Sequence, residues 1–440
     1  MSKLSLIALI TAVVACVTGP LASAQAVPVE LVETDDGYQL LRGGEPYFIR
    51  GGGGAHHLEL LAASGGNSFR TWGHEELEPR RWPDGRVASV LDIAHELGLT
   101  VCAGFWVRHP RHGFDYSDEE AVEQQIEAAV AFVNKWKHHP AILMWGVGNE
   151  VALDGNHAPG FKEIDRIAAA VKEAEPSRTT MSALAGISPN QGELFESLCT
   201  NVDILGLNAY GGLPHAAHEM VSQGYTGPFV VTEFGPVGHW ELATTPWGAP
   251  IEQPTAGKVR SYRESYRNAI ANRPYTCLGS YAFLWGHKQE VTSTWYGMFL
   301  PTGEKLEPVD LMAELWSGNP PANRCPHVDG IETEAALRRI APDTVWTARV
   351  LATEPDGDPM TYRWRVTEES TDRRYGGDAE EVPPDVPGMI ISSGPAARFR
   401  APIKPGAYRL FVEVHDGKNA AGAANIPFYV AEDGAHPAGR

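Results

Sequence analysis

Two apolar runs in this chain each end in a carboxylate. Ala141-Ile-Leu-Met-Trp-Gly-Val-Gly-Asn149-Glu150 stops abruptly on an amide and an acid, and Pro228-Phe-Val-Val-Thr-Glu233-Phe-Gly235 repeats the design. Runs this short, with glycines near their ends, read as strands buried on both faces. Parallel barrels keep their chemistry at the carboxyl ends of such strands. Two of them would bring a carboxyl pair to one mouth, which is the apparatus for cleaving a glycosidic bond. One carboxyl donates its proton to the leaving oxygen while the other, ionised, attacks the anomeric carbon. A separation of about 5 Å suits direct attack, whereas roughly 6.5–9.5 Å leaves room for a water. We assign Glu150 as acid/base and Glu233 as nucleophile. The charge on Glu233 should raise the pKa of Glu150 until a covalent glycosyl-enzyme forms, after which Glu150 can act as base. Singly, each Glu has a plain reading as a surface residue at a strand end; the pairing gives the catalytic reading its weight.

The flanking sequence alternates strand and helix patterns, which predicts a parallel sheet. Tyr47–Arg50, Asn67–Trp72, Leu99–Trp106, the run to Glu150, Thr179–Leu184, Val202–Asn208, the run to Glu233 and Leu278–Trp285 read as strands. Helical spacing falls between them, as in Val122, Ile126, Ala129, Val130 and Val133 behind the cap Asp118. Eight alternations in about 280 residues fit a (β/α)8 barrel, with a doubly wound sheet as the alternative, and Glu150 and Glu233 favour the barrel. Val29–Leu41, broken by Asp35-Asp-Gly37, predicts a hairpin closing the barrel bottom. Gly51 to Gly54 reads as a loop without a phosphate-binding motif.

Composition narrows the partners. The net charge of −19 disfavours nucleic acid and acidic polysaccharides and suits a neutral glycan. Met1-Ser-Lys3, an apolar stretch and Leu21-Ala-Ser-Ala24 make residues 1–24 a signal peptide and predict export. Val13-Val-Ala-Cys16 offers lipid anchoring at Cys16 as the weaker alternative. No other segment is apolar enough to span a membrane. Cys102, Cys199, Cys277 and Cys325 allow three disulfide connectivities and form no CxxC pair. His74-Glu-Glu-Leu-Glu78 only begins like a zinc motif, and neither a metal nor another cofactor is expected.

Asn149-Glu150 after the fourth strand, Thr232-Glu233-Phe-Gly235 after the seventh, Arg70 ending the second, Asn208-Ala-Tyr210 after the sixth and Trp285 after the eighth together resemble the clan A retaining glycosidases. The likeness spans residues from about 45 to 317 and is nearest to the family 2 and family 5 barrels. Thr294-Trp-Tyr-Gly297-Met-Phe299 is similar to the family 2 segment after the last strand, although the large amino-terminal sandwich domains of that family are missing. The resemblance implies that Asn149 holds the sugar 2-hydroxyl, that Arg70 and Tyr210 hydrogen-bond the nucleophile, and that Trp285 floors the cleavage subsite. Asn208 joins the binding set with them. Trp72 and Trp106, like Trp240, Trp247 and Trp295, fall where an aromatic face could meet a pyranose ring, or could simply be core. His57, His109 and His239 fall in mouth loops, and Trp145 should point outward by alternation.

The barrel domain is therefore 25–316, with a linker at 317–327 and a β-sandwich at 328–432 followed by a tail at 433–440. Glu354-Pro-Asp-Gly-Asp358, Tyr362-Arg-Trp364 and Val414-His-Asp416-Gly are similar to polycystic-kidney-disease-type immunoglobulin-like modules. Asp356 and Asp358 form a plain turn more readily than a calcium site. The expected activity is retaining hydrolysis of a neutral β-glucan or β-mannan. The alternatives are a β-glucanosyltransferase, a barrel that binds carbohydrate without catalysis, and a structural protein whose module carries the function. Oligomeric state is not legible.

Overall fold

The computed structural model describes residues 26–151, 153, 155, 157–272 and 277–437. The expected signal peptide and Cys16 lie outside these residues, as does the end of the tail. Eight parallel strands close into a barrel: Ile49–Gly53, Ser68–Arg70, Thr100–Phe105, Ile142–Asn149, Thr180–Ala185, Ile204–Asn208, Phe229–Phe234 and Cys277–Ala282. Every expected strand is present, displaced by a few residues at its ends. Helices lie outside, among them Glu119–Trp136, which Asp118 caps by accepting from the Ala121 N–H. No helix among the described residues is long and apolar enough to cross a membrane.

The strands are apolar on both faces because each face is buried. Inward residues such as Ile49, Met144, Met181, Ile204, Val230 and Tyr281 fill the barrel. Outward residues such as Trp145, Val147, Leu205 and Phe229 pack under the helices, so Trp145 points away from the mouth as alternation requires. The hairpin Val29–Thr34 with Gly37–Arg42 adds Val29 and Leu40 to the inner cluster and plugs the bottom.

The glycine run differs from expectation. Gly51, Gly52 and Gly53 belong to the first strand, not to a loop. A Cβ at Gly51 would stand 2.3 Å from the Tyr281 ring, and one at Gly52 would stand 2.7 Å from Trp285. The strand therefore surrenders its side chains so that aromatic residues from the eighth strand and its exit can lie against its backbone.

Past residue 317 the chain forms two β-sheets that share a core including Val328, Trp346, Trp364, Phe399, Leu410 and Phe428. One sheet orders His327–Glu332, Val345–Thr353, Ala396–Arg400 and Ile390–Ser392. The other orders Lys305–Leu306, Ala420–Val430, Gly406–His415 and Thr361–Glu368, with Arg339–Ile340 beside Ala420–Val430. Three strands here were not foreseen, Lys305–Leu306, His327–Glu332 and Arg339–Ile340. Asp356 pairs with Arg324 and Asp358 with Lys418, both at 2.6 Å, which gives the acidic turn a structural use. Cys102, Cys199, Cys277 and Cys325 are all buried thiols, so none of the possible disulfides forms.

The expected linker is not a free hinge. Its Asn323 donates to Asp416 at 2.7 Å, and the Cys325 N–H donates to Asp310 at 2.6 Å. Lys305–Leu306 leaves the barrel to pair with Ala420–Val430 of the carboxy-terminal sheet. Behind that seam Glu252 is buried among Lys258 at 2.5 Å, Thr292, Thr294 and Asn425, the last reaching across at 2.6 Å. Arg409 donates to the Pro250 carbonyl at 2.9 Å while holding Glu369 at 2.7 Å.

Glu252→Ala removes the counter-charge of a buried Lys258 and strands its cation. We expect a loss of about 3–5 kcal/mol in chemical denaturation, with both units losing stability, because Asn425 loses its partner as well. A midpoint unchanged from wild type would show the seam to be incidental.

Candidate active site

The second strand ends in Arg70, 2 % exposed, whose guanidinium sits at the centre of the barrel mouth. One of its terminal nitrogens donates to Glu233 Oε1 at 3.1 Å, to the Thr232 carbonyl at 3.1 Å and to Asn208 Oδ1 at 3.4 Å; the other donates to Asn149 Oδ1 at 2.6 Å. Glu233 receives two further bonds. Trp72 Nε1 donates to Oε1 at 3.1 Å and the Tyr210 hydroxyl to Oε2 at 3.0 Å. Three donors thus converge on one carboxylate, Arg70 and Trp72 from the end of the second strand and Tyr210 from beyond the sixth. Burial and the Glu233 charge push the Tyr210 hydroxyl well above its ordinary range, so it stays a donor.

Glu150 has a different environment. It follows the fourth strand at φ 53°, a left-handed conformation uncommon for a residue with a side chain, and its N–H donates to the Ala183 carbonyl at 2.8 Å. Its Oε1 accepts from the Asn208 amide at 2.8 Å. Removal from water, and then the charge of Glu233, raise its pKa to about 7; the Asn208 bond and Arg70 offset only part of that. The two carboxyls are therefore neighbours with unequal surroundings. One is surrounded by donors, and the other is starved of solvent beside a like charge.

Asn208 joins them. Its amide donates to Glu150 and, at 3.1 Å, to Asn149 Oδ1, while its oxygen accepts from Thr232 at 2.7 Å and from Arg70. Strand register makes this possible. Ala183 aligns with Asn149, Ala185 with Asn208, and Asn208 with Glu233, so the polar residues form one tier across four strands.

These residues open into a cleft of about 810 Å³ that contains Glu150, Glu233, Asn149, Asn208 and Tyr210. Trp72, Trp106 and Trp240 line it too, and Trp106 stacks on His109 with ring centres 4.9 Å apart. Trp72 is committed through its N–H to Glu233, a role beyond that of an aromatic surface.

Trp285 does not floor this cleft. It is fully buried behind the first strand, against Trp316 at 5.7 Å and Phe299 at 5.6 Å, with its indole N–H directed to the His57 carbonyl. The eighth strand ends at Ala282, so Trp285 has left the mouth before its side chain projects. Phe283 takes the place at the wall, edge-on to Trp72 and Tyr210 at 6.0 Å each. Trp247 packs on Tyr429 and Trp295 is core, so neither reaches the cleft. Of the loop histidines, His239 lines the wall beside Tyr296, His109 is buried beneath Trp106, and His57 stacks on Phe299.

Sequence reasoning missed Phe283, where the more conspicuous Trp two residues on drew the assignment. It also missed Arg374 to Asp378, a stretch of the carboxy-terminal unit that borders the cleft. No local pattern in either stretch announces contact with a barrel mouth.

Residues 55–238 match the family model described as "Glycosyl hydrolases family 2, TIM barrel domain". Among curated proteins none matches. The chain is similar to the structure of Bacteroides uniformis beta-glucuronidase 2, at 12% identity and a TM-score of 0.48, covering 92% of this chain and 48% of that one. It is also similar to beta-D-glucuronidase from Dictyoglomus thermophilum, at 17% identity and 0.48, covering 67% and 54%. A third similar structure is the endo-beta-1,4-mannanase from Thermotoga petrophila, at 13% identity and 0.41, covering 88% and 98%. The chain spans about half the length of the two glucuronidases.

The paired environments make a direct prediction. In Glu233→Gln the like charge beside Glu150 is gone, so its titration should move down from about 7, yet stay above the ordinary carboxylate range because burial is the larger cause. Carboxyl carbon NMR across a pH series reads this, and an unmoved Glu150 titration would show the two groups to be uncoupled.

Proposed function

We propose that this protein is an exported retaining β-glycoside hydrolase acting on a neutral β-linked polysaccharide or oligosaccharide of the glucan or mannan type. The observation that carries the reading is the unequal pair: Glu233 accepts from Arg70, Trp72 and Tyr210, while Glu150 is held protonated into the neutral range. The family 2 barrel match over 55–238, which includes both Glu residues, supports it.

In the proposed reaction Glu233 attacks the anomeric carbon as Glu150 passes its proton to the departing oxygen, giving a covalent glycosyl-enzyme. That ester removes the Glu233 charge, and with it one of the two causes that hold the proton on Glu150. Glu150 then takes a proton from the attacking water, and the ester breaks with a second inversion. The Asn149 carbonyl oxygen is occupied by Arg70 and Asn208, which leaves its amide to meet a sugar hydroxyl. The aromatic wall of Trp106, Trp240 and Phe283 suits the apolar faces of pyranose rings.

The charges of the cleft support a neutral sugar. Glu150, Glu219, Glu233, Glu241, Glu290 and Asp378 border it, and the two cations among the described lining residues are already engaged. Lys288 pairs with Glu290 at 2.7 Å and Arg374 with Asp372 at 2.5 Å. A uronic acid carboxylate would enter without a free cation to receive it. An inactive binding barrel has no need of the unequal pair, whereas transfer to a sugar acceptor uses the same first step.

A panel of β-linked glucans and mannans, with products followed by NMR, tests the reading: the first product should keep the β configuration. Since Glu150 must carry its proton to act as acid, kcat/KM should fall above a pH of about 7. Glu150→Gln should lower turnover of unactivated substrates by roughly 10²–10⁴-fold, and Glu233→Ala should abolish it. Inverted products, or turnover untouched by Glu150→Gln, would overturn the assignment.

A further inference from the structure

The stretch between the strands Thr361–Glu368 and Ile390–Ser392 departs from its sheet and crosses to the barrel mouth. It is fixed there from two sides. Asp378 pairs with Arg111 at 3.2 Å and His112 at 2.9 Å, both on the loop after the third barrel strand. On the far side, after the eighth strand, Lys288 donates to the Gly377 carbonyl at 2.6 Å and the Val291 N–H to Glu380 at 2.6 Å. The fit is close. A Cβ on Gly376, whose φ is 67°, would stand 2.4 Å from Arg111 and 2.8 Å from Leu153.

Tyr375 sits at the centre of this strap and borders the cleft. The residue is 66 % exposed, although its hydroxyl is anchored by donating to the Leu153 carbonyl at 3.1 Å. Leu153 in turn donates its N–H to the Glu150 carbonyl at 3.1 Å, closing the turn that carries the acid/base. An exposed aromatic ring tethered by its polar end is held in position with its faces free, which suits a sugar ring. Its place is decided by chemistry. Glu150 must reach the departing oxygen, so whatever lies beside the Glu150 turn lies on the leaving-group side.

We infer that Tyr375, delivered by the carboxy-terminal unit, is the platform for the sugar on the leaving-group side, the same site that would bind an acceptor in transfer. The inference rests on the glycosidase reading proposed above. It makes the second unit part of the substrate cleft, with the strap as the piece that decides how long a chain is bound beyond the scissile bond.

The test compares two donors in wild type, Tyr375→Ala and Tyr375→Phe. Cello-oligosaccharides or manno-oligosaccharides, whichever the wild type cleaves, place a sugar on the leaving-group side. The matching β-glycosyl fluoride places none. For Tyr375→Ala, kcat/KM on the oligosaccharide should fall about tenfold, carried by KM, with a change of no more than about twofold on the fluoride. Transfer from the fluoride to added oligosaccharide should drop by a similar factor. Tyr375→Phe, which keeps the ring, should recover most of the loss. Equal effects on both donors would overturn the inference while leaving the glycosidase reading in place. A wild type that cleaves neither donor overturns that reading, and the inference falls with it.

Discussion

A buried guanidinium governs the barrel mouth. Arg70 can lie 2 % exposed because a carboxylate balances its charge and oxygens from Thr232, Asn149 and Asn208 accept from its two terminal nitrogens. Two charges withdrawn from water repay their desolvation only when such additional hydrogen bonds accompany the pair. The requirement explains why the polar residues form a single tier. The fourth and sixth strand ends supply one partner each and the seventh supplies two, and a shift of one residue in any of these strands would turn its partner side chain away from the cleft.

The same constraint separates the two carboxyls. Glu233 takes the cation and two neutral donors, which leaves Glu150 with one amide from Asn208 and the nearby negative charge. Nothing about the two side chains differs in sequence. Their difference is made by where the donors point, and in the proposed reaction it is what lets one group give a proton while the other attacks. Asn208 is the element common to both halves, since it bonds Glu150 with its nitrogen and accepts from Thr232 and Arg70 with its oxygen.

How much of this was legible follows from the range of the forces involved. The eight strands and the positions of Glu150 and Glu233 were readable because apolar runs and their polar ends are local signals. Asn149 was readable beside Glu150 at the same strand end, whereas Arg70, Asn208 and Tyr210 were readable only through resemblance, and the structure brings all four to the two Glu residues. Trp285 was misplaced because the resemblance puts it at the end of the eighth strand, and that strand stops three residues earlier, at Ala282. The glycine run was misread for a related reason. Its glycines answer to Tyr281 and Trp285, more than 200 residues away, and a sequence window cannot see an aromatic ring arriving from the neighbouring strand.

The carboxy-terminal unit shows the same limit at a larger scale. Its composition reads as a separate all-β module behind a linker, and within its own sheets that reading holds. Yet the Lys305–Leu306 strand belongs to its sheet, the Glu252 cluster is completed by its Asn425, and its strap reaches Arg111 and Lys288. A module tied at one point could move relative to the barrel. One tied at the seam behind the barrel and again at the mouth has its orientation fixed by both, since neither contact can slide without breaking buried or charge-assisted bonds. Rigid attachment is what allows a side chain on one unit to serve a cleft on the other. A platform at Tyr375 would be useless on a swinging arm, so the buried Glu252 cluster, which touches neither carboxyl of the pair through a hydrogen bond, helps to set the shape of the cleft.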